Sequence, residues 1–231
     1  MKGLDLMNEK LIENSINALR EELQTKFNVL TSCYAMAKDY LIIRAINIEN
    51  VKTESVYKKI GTDLCLTLYL LLSDKDGLIN TVQIPECMLD DWSVTRETAF
   101  ENAMNNTADR YKAIYSENIF DIENSCKPVK EFKISNRNHT ILVTTTRKTN
   151  GSIAMFFKDT CESIAAGIDS SFYAAFTSIH ECMIHAVGSI SPECIKRNLQ
   201  ETNRIFGPDD TLTNNVFYYD KDAKTFEPIN V

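Results

Sequence analysis

Five leucines impose the first constraint on this chain. Leu64, Leu66, Leu68, Leu70 and Leu72 fall at every second position of one segment. Side chains two residues apart on a strand point the same way, so one face of that segment is all leucine. The other face carries Cys65, Thr67, Tyr69 and Leu71 and is also largely apolar. A strand apolar on both sides belongs inside a sheet that is covered on both faces, and the rest of the chain must supply both covers. The following Ser73-Asp74-Lys75-Asp76-Gly77 is rich in turn-forming residues, and a second strand is expected near 78–84, closing a hairpin. The acids in this turn do not make a calcium loop. With Asp74 as the first ligand, the twelfth position is Pro85, where such a loop needs a glutamate.

The flanking patterns provide candidates for the covers. Ile12, Ile16, Leu19 and Leu23 follow helical spacing within 8–25, which predicts an amphipathic helix laid on the sheet, or alternatively a helix that meets a partner. Residues 27–36 and 40–48 are β-rich and are expected to pair across Ala37-Lys38-Asp39. Short helices are expected over 86–92 and 94–105, and 108–138 is weakly patterned around Asn124-Ser125-Cys126-Lys127-Pro128. Farther on, 141–146 and 152–157 flank Asn150-Gly151, the favoured pair for a two-residue hairpin turn. Asp159 is placed to cap a helix over 160–166 that Gly167 ends, and strands are expected near 171–176 and 181–187. Ser191-Pro192-Glu193 starts a helix with Ile195, Leu199 and Ile205 on its buried face, and 216–219 pairs with 225–228 in a terminal hairpin. The class is α+β, a mainly antiparallel sheet built from hairpins with about four packed helices. The reading is a single domain over 1–231, with 108–128 as the boundary if it is two-lobed.

Composition excludes some function classes. Formal charge is −7, against a nonspecific hold on phosphate backbones, and no sequence-specific nucleic-acid binding is expected. The 86–124 stretch is strongly acidic, and 127–148 is basic through Lys127, Lys130, Lys133, Arg137, Arg147 and Lys148. The seven cysteines contain no C-x-x-C pair, so reduced thiols in a cytoplasmic protein are expected, without a metal. No secretory leader and no apolar run long enough to span a bilayer is read. No dinucleotide-binding glycine fingerprint and no P-loop occurs, and no cofactor is expected.

Chemistry-bearing residues concentrate in 172–187, FYAAFTSIHECMIHAV. His180-Glu181-Cys182-Met183-Ile184-His185 is one residue too long for a zincin pair: i and i+5 lie about 140° apart on a helix and on opposite faces of a strand. Ser178 and His180 share a strand face, which allows a hydroxyl–imidazole contact with Asp169 as orienter. Cys182 shares that face and allows a Cys–His pair. The candidate site is therefore Ser178, His180, Glu181 and Cys182. The competing reading is structural, with Thr177 and Ser178 satisfying backbone groups at a turn and His180 and Glu181 bridging to a neighbouring strand.

Several segments occur in a familiar order. These are Arg44-Ala45-Ile46-Asn47-Ile48-Glu49-Asn50, Asp63-Leu64, Trp92 followed by a helix through Ala103, Asn105 and Thr107, then Asn150-Gly151, Phe172-Tyr173, Ser178-Ile179-His180-Glu181 and Ser191-Pro192-Glu193. Over about 44–220 they resemble an uncharacterised domain-of-unknown-function family of anaerobic Firmicutes and their mobile elements, marked by an S-S-x-H-E motif. This chain has Thr177 at the first serine of that motif. The resemblance implies a fold and no reaction. The expected function is a non-enzymatic protein-interaction module of a bacterial or mobile-element system, with a protein as partner and no membrane. One alternative is an anti-defence inhibitor, like an anti-CRISPR, that docks an acidic surface on a host nucleic-acid-binding complex. The other is a small hydrolase or transferase using Ser178/His180 or Cys182.

Overall fold

The computed structural model describes residues 2–75, 77–134, 136 and 140–231, with side chains from residue 13 onward. Asp76 and Arg137, read above as turn and basic-stretch residues, and the side chain of Ile12 lie outside the described residues.

The chain opens with α1 (Lys2–Thr31) and a short α2 (Tyr34–Ala37). β1 (Leu41–Asn47), β2 (Tyr57–Ile60), β3 (Leu64–Lys75) and β4 (Leu78–Gln83) then form an antiparallel sheet. β3 is central and buried from Leu64 to Leu72, as its double-sided apolar pattern requires. Helices α3 (Glu86–Asp91) and α4 (Arg96–Arg110) follow. α4 closes the free edge of β1: Thr107 Oγ1 accepts from Ile43 N at 2.8 Å, and Asn106 Nδ2 donates to Leu41 O at 3.0 Å. An edge whose backbone groups are taken by helix side chains no longer offers a template for another strand.

The second sheet is also antiparallel. It comprises β5 (Ala113–Ser116), β6 (Lys127–Pro128), β7 (Ile141–Thr145), β8 (Phe172–Ser178), β9 (Glu181–Ala186), β10 (Val216–Asp220) and β11 (Thr225–Ile229), in the order β11-β10-β8-β9-β7-β5-β6. The short helix α5 (Ile122–Ser125) lies between β5 and β6, and α6 (Thr160–Ile168) follows β7. α7 (Pro192–Asn203) covers one face, with Ile195 and Leu199 against Ala175 and Val216. The opposite face contributes Phe172, Phe176 and Phe217 to a core shared with Leu64 and Leu68 of the first sheet and with Ala99 and Ala103 of α4. The architecture is α+β with antiparallel sheets, and α1, α4, α6 and α7 are its long helices.

Some local expectations are corrected. Residues 27–31 continue α1 and 34–37 form α2, so β1 pairs with β3 instead of with 27–36. Phe27 and Leu30 sit three apart and reach the core from one helix face, and tertiary packing overrides β propensity there. Residues 151–156 form a 3-10 segment, so β7 has β5 and β9 as its neighbours and no hairpin across Asn150. α6 runs past Gly167 to Ile168, and Gly167 instead makes room for Phe132. Asp159 stands at the N-cap of α6 but its side chain makes no capping bond. Ile205 is 83% exposed, beyond the end of α7. Ser191 caps α7 as expected, accepting from Cys194 N at 3.3 Å.

Leu68 is fully buried at the middle of β3. Leu68→Ala is expected to lower unfolding free energy by about 2–5 kcal/mol in urea titrations. A loss below about 1 kcal/mol would contradict the central place assigned to this strand.

Candidate functional site

The predicted site residues sit where β8 turns into β9. The register of this pair shifts between Ala175 and Ser178, so backbone groups around 177–180 leave the regular ladder and need other partners. Ser178 Oγ accepts from His180 N at 3.0 Å. Ile179 N donates to Asp210 O at 2.8 Å, and Ile179 O accepts from Ser152 Oγ, also at 2.8 Å. Thr144 Oγ1 donates to His180 O at 2.7 Å. One turn is thereby tied to β7, to the 3-10 segment after it and to the loop before β10. The approach is so close that a Cβ on Gly151 would lie 2.0 Å from Thr144 Oγ1 and 2.5 Å from His180 O. Glycine is required there by space.

The His180 ring extends the same knot. Its Nδ1 accepts from Asn150 N at 3.0 Å, and its Nε2 lies 3.6 Å from Asp210 Oδ1. Accepting an N–H at Nδ1 places the neutral ring's proton on Nε2. The lone pair a general base would use is occupied, and the Ser178 hydroxyl meets the backbone of His180, not its ring. Asp169, the expected orienter, instead pairs with Lys221 at 2.5 Å. The carboxylate beside the ring is that of Asp210, which no sequence pattern singled out.

Cys182 is fully buried, and burial pushes its thiol well above the ordinary range, so it stays neutral and a poor nucleophile. Glu181 accepts a long bond from Thr177 Oγ1 at 3.4 Å. His185 lies apart from His180, on the α7 side of the sheet, in a groove with Thr177, Ile195, Asn198 and Thr202. Burial lowers its pKa to about 4.

A second polar group was missed by sequence reasoning. Arg44, on β1, lies 4.9 Å from the ring centre of Tyr69 on β3. Arg147, just after β7, pairs with Asp74 at the far end of β3 and donates from Nη2 to Gly77 O at 3.0 Å. Tyr111 donates to the other Asp74 oxygen at 2.7 Å. Burial, followed by that bond to Asp74, pushes the Tyr111 hydroxyl up to about 12. The only sequence signal was Arg44 itself, a charge inside an otherwise apolar strand.

Residues 5–221 match DUF5688, a family of unknown function. The chain belongs to the DUF5688 family. No curated protein and no solved structure matches it. The DUF5688 match covers the first sheet and the second through β10, leaving β11 outside, so the knot at His180 and the arginine group both fall inside the family region.

Two outcomes follow from this geometry. Gly151→Ala is expected to cost about 2–4 kcal/mol in chemical unfolding, since backbone and a bonded hydroxyl must both move; an unchanged midpoint would refute the close approach. His185 binds a proton less readily folded than unfolded, so stability is full above its unfolded pKa near 6.5 and falls as pH drops toward about 4. The expected loss is about 1–3 kcal/mol. His185→Gln should flatten that part of the pH–stability curve, and an identical slope would contradict the assignment.

Proposed function

We propose that this protein is a non-enzymatic protein-interaction module and that α1 is its docking element. The observation that carries this is the exposure of the helix. α1 is 30 residues long, yet only Leu23, Phe27 and Leu30 of its described side chains join the core. Residues 13–22 are exposed, including Ile16 at 46% and Leu19 at 48%. Helices in proteins gain most of their stability by burying an apolar stripe. Ile16 and Leu19 fall on such a stripe, flanked by Glu13, Arg20 and Glu22. A partner that lays its own apolar helix face along this stripe completes the packing. The occupied Nδ1 of His180 and the neutral, buried Cys182 support the non-catalytic half of the reading.

The setting we propose is a bacterial or mobile-element system in the cytoplasm, as the order of motifs and the free cysteines suggest. The anti-defence form of the reading draws on Asp90, Asp91, Glu97 and Glu101, which are exposed on α3 and α4.

The test compares wild type with an Ile16→Asp, Leu19→Asp variant in affinity capture from the native host. Exposed positions tolerate such changes within about 0.5 kcal/mol, so folding is expected to be unaffected. A partner retained by wild type and lost by the variant supports the proposal. Equal recovery by both, or no partner on wild type, overturns it.

A further inference from the structure

Ile16, Leu19, Glu22, Lys26 and Val29 follow one another along α1 at steps of three or four residues, so their side chains form one continuous row. The row is apolar at both ends and charged in the middle. At its far end Val29 is exposed to the same degree as Ile16 and Leu19, and so is Met36 of α2, at 50% and 45%. Val29 and Met36 line a groove of about 520 Å³ together with Leu30 and Tyr40, and Glu22 and Lys26 border it. Exposed apolar patches edged by polar residues mark surfaces that meet another molecule. One helix thus presents apolar knobs at one end and an apolar groove at the other.

The charges between them are not used within the chain. Glu22 and Lys26 stand in the i, i+4 order that pairs on a helix surface, yet neither makes an ion pair among the described residues. Lys26 Nζ lies instead over the Tyr40 ring, 5.3 Å from its centre. Acid precedes base along the chain, so turning the helix end for end reverses their order. A two-fold axis midway between them therefore sets Glu22 of each copy against Lys26 of the other, giving two attractive pairs. The same axis sets Leu19 opposite Val29 of the second copy, since both are equally far from it in the chain, and carries Ile16 on toward Met36. A parallel pair would instead set Glu22 on Glu22 and Lys26 on Lys26 and leave the groove unfilled.

We propose, on the docking reading of α1, that its occupant is a second copy of this chain, packed as an antiparallel helix pair about a two-fold axis between Glu22 and Lys26. Ile16 and Leu19 of each copy enter the groove of the other at Val29 and Met36, so one contact covers both exposed patches. Glu22 and Lys26 pair across the axis and fix the direction of the helices, as charges at an interface select one arrangement over its alternatives.

The experiment is sedimentation velocity of the full chain across a dilution series at low salt, where exposed charges are least screened. Wild type is expected to shift from monomer to dimer as its concentration rises, and the Ile16→Asp, Leu19→Asp variant to stay monomeric throughout. Glu22→Lys alone and Lys26→Glu alone each set like charges together at both pairs of the two-fold contact, and each is expected to dimerise at least about tenfold more weakly. Mixed in equal amounts, these two variants are expected to associate as wild type does, because each supplies the charge that the other lacks. That recovery also shows that both are folded. The proposal is overturned if wild type stays monomeric at every concentration, if Ile16→Asp, Leu19→Asp dimerises as wild type does, or if the mixture associates no more tightly than either variant alone. A monomeric wild type that still captures another protein through Ile16 and Leu19 overturns the second copy and keeps the docking reading. Loss of both self-association and capture overturns both.

Discussion

A strand buried on both faces has to be enclosed, and the rest of this protein is arranged to enclose β3. Its leucines lie in a core shared with α4 and with the phenylalanines of the second sheet. Its other face carries Tyr69 and Leu71, with Ile42 of β1 beside them. Fixing this one strand therefore fixes where α4 and the second sheet must go. Polar contacts then set the register. Asp63, immediately before β3, accepts from Thr213 Oγ1 at 2.8 Å and from Asn215 Nδ2 at 2.9 Å, anchoring the loop that leads into β10. Asn47, at the end of β1, donates to Leu212 O at 3.1 Å in the same loop.

That loop also supplies Asp210 to the turn between β8 and β9. The residues that look most chemical in the sequence serve to join three pieces of chain that are distant in sequence. Their side chains are spent on backbone groups that a shifted register leaves without ladder partners. A serine, a histidine and a nearby carboxylate are the ingredients of a hydrolase, and they are also the residues best suited to satisfying buried peptide groups. Direction separates the two uses. At His180 the ring nitrogen receives a bond from the Asn150 backbone, where a base would need to face a hydroxyl.

The legible parts of the fold were those in which local pattern and tertiary demand agree. The alternating leucines of β3, the Ser191-Pro192 start of α7 and the terminal β10–β11 hairpin each carry their own signal. Residues 27–36 did not, because Phe27 and Val29 favour strands as residues yet lie within α1 as it reaches the core. Asn150-Gly151 misled for a different reason. Asn150 does adopt the left-handed conformation, with φ of 53°, but Gly151 is there for close approach to Thr144 and His180, and a pairwise turn signal does not distinguish the two. The stretch 172–187 was recognisable as the place where function or structure would concentrate. Asp210 and Asn150, its actual partners, are brought in by topology alone. Arg44 was invisible as part of a polar group because a single arginine in a strand forms no spacing pattern, and its place beside Tyr69 comes from the pairing of β1 with β3.

The central claim is that the Ser178–His180 turn is a structural knot, and it is decided by the proton on one ring. Nitrogen-15 NMR of the histidine side chains at neutral pH reports directly which ring nitrogen is protonated. A neutral His180 with its proton on Nε2 and an accepting Nδ1 agrees with the bond from Asn150. A proton on Nδ1, leaving Nε2 free as a base, would contradict it and return Ser178 and His180 to the catalytic reading.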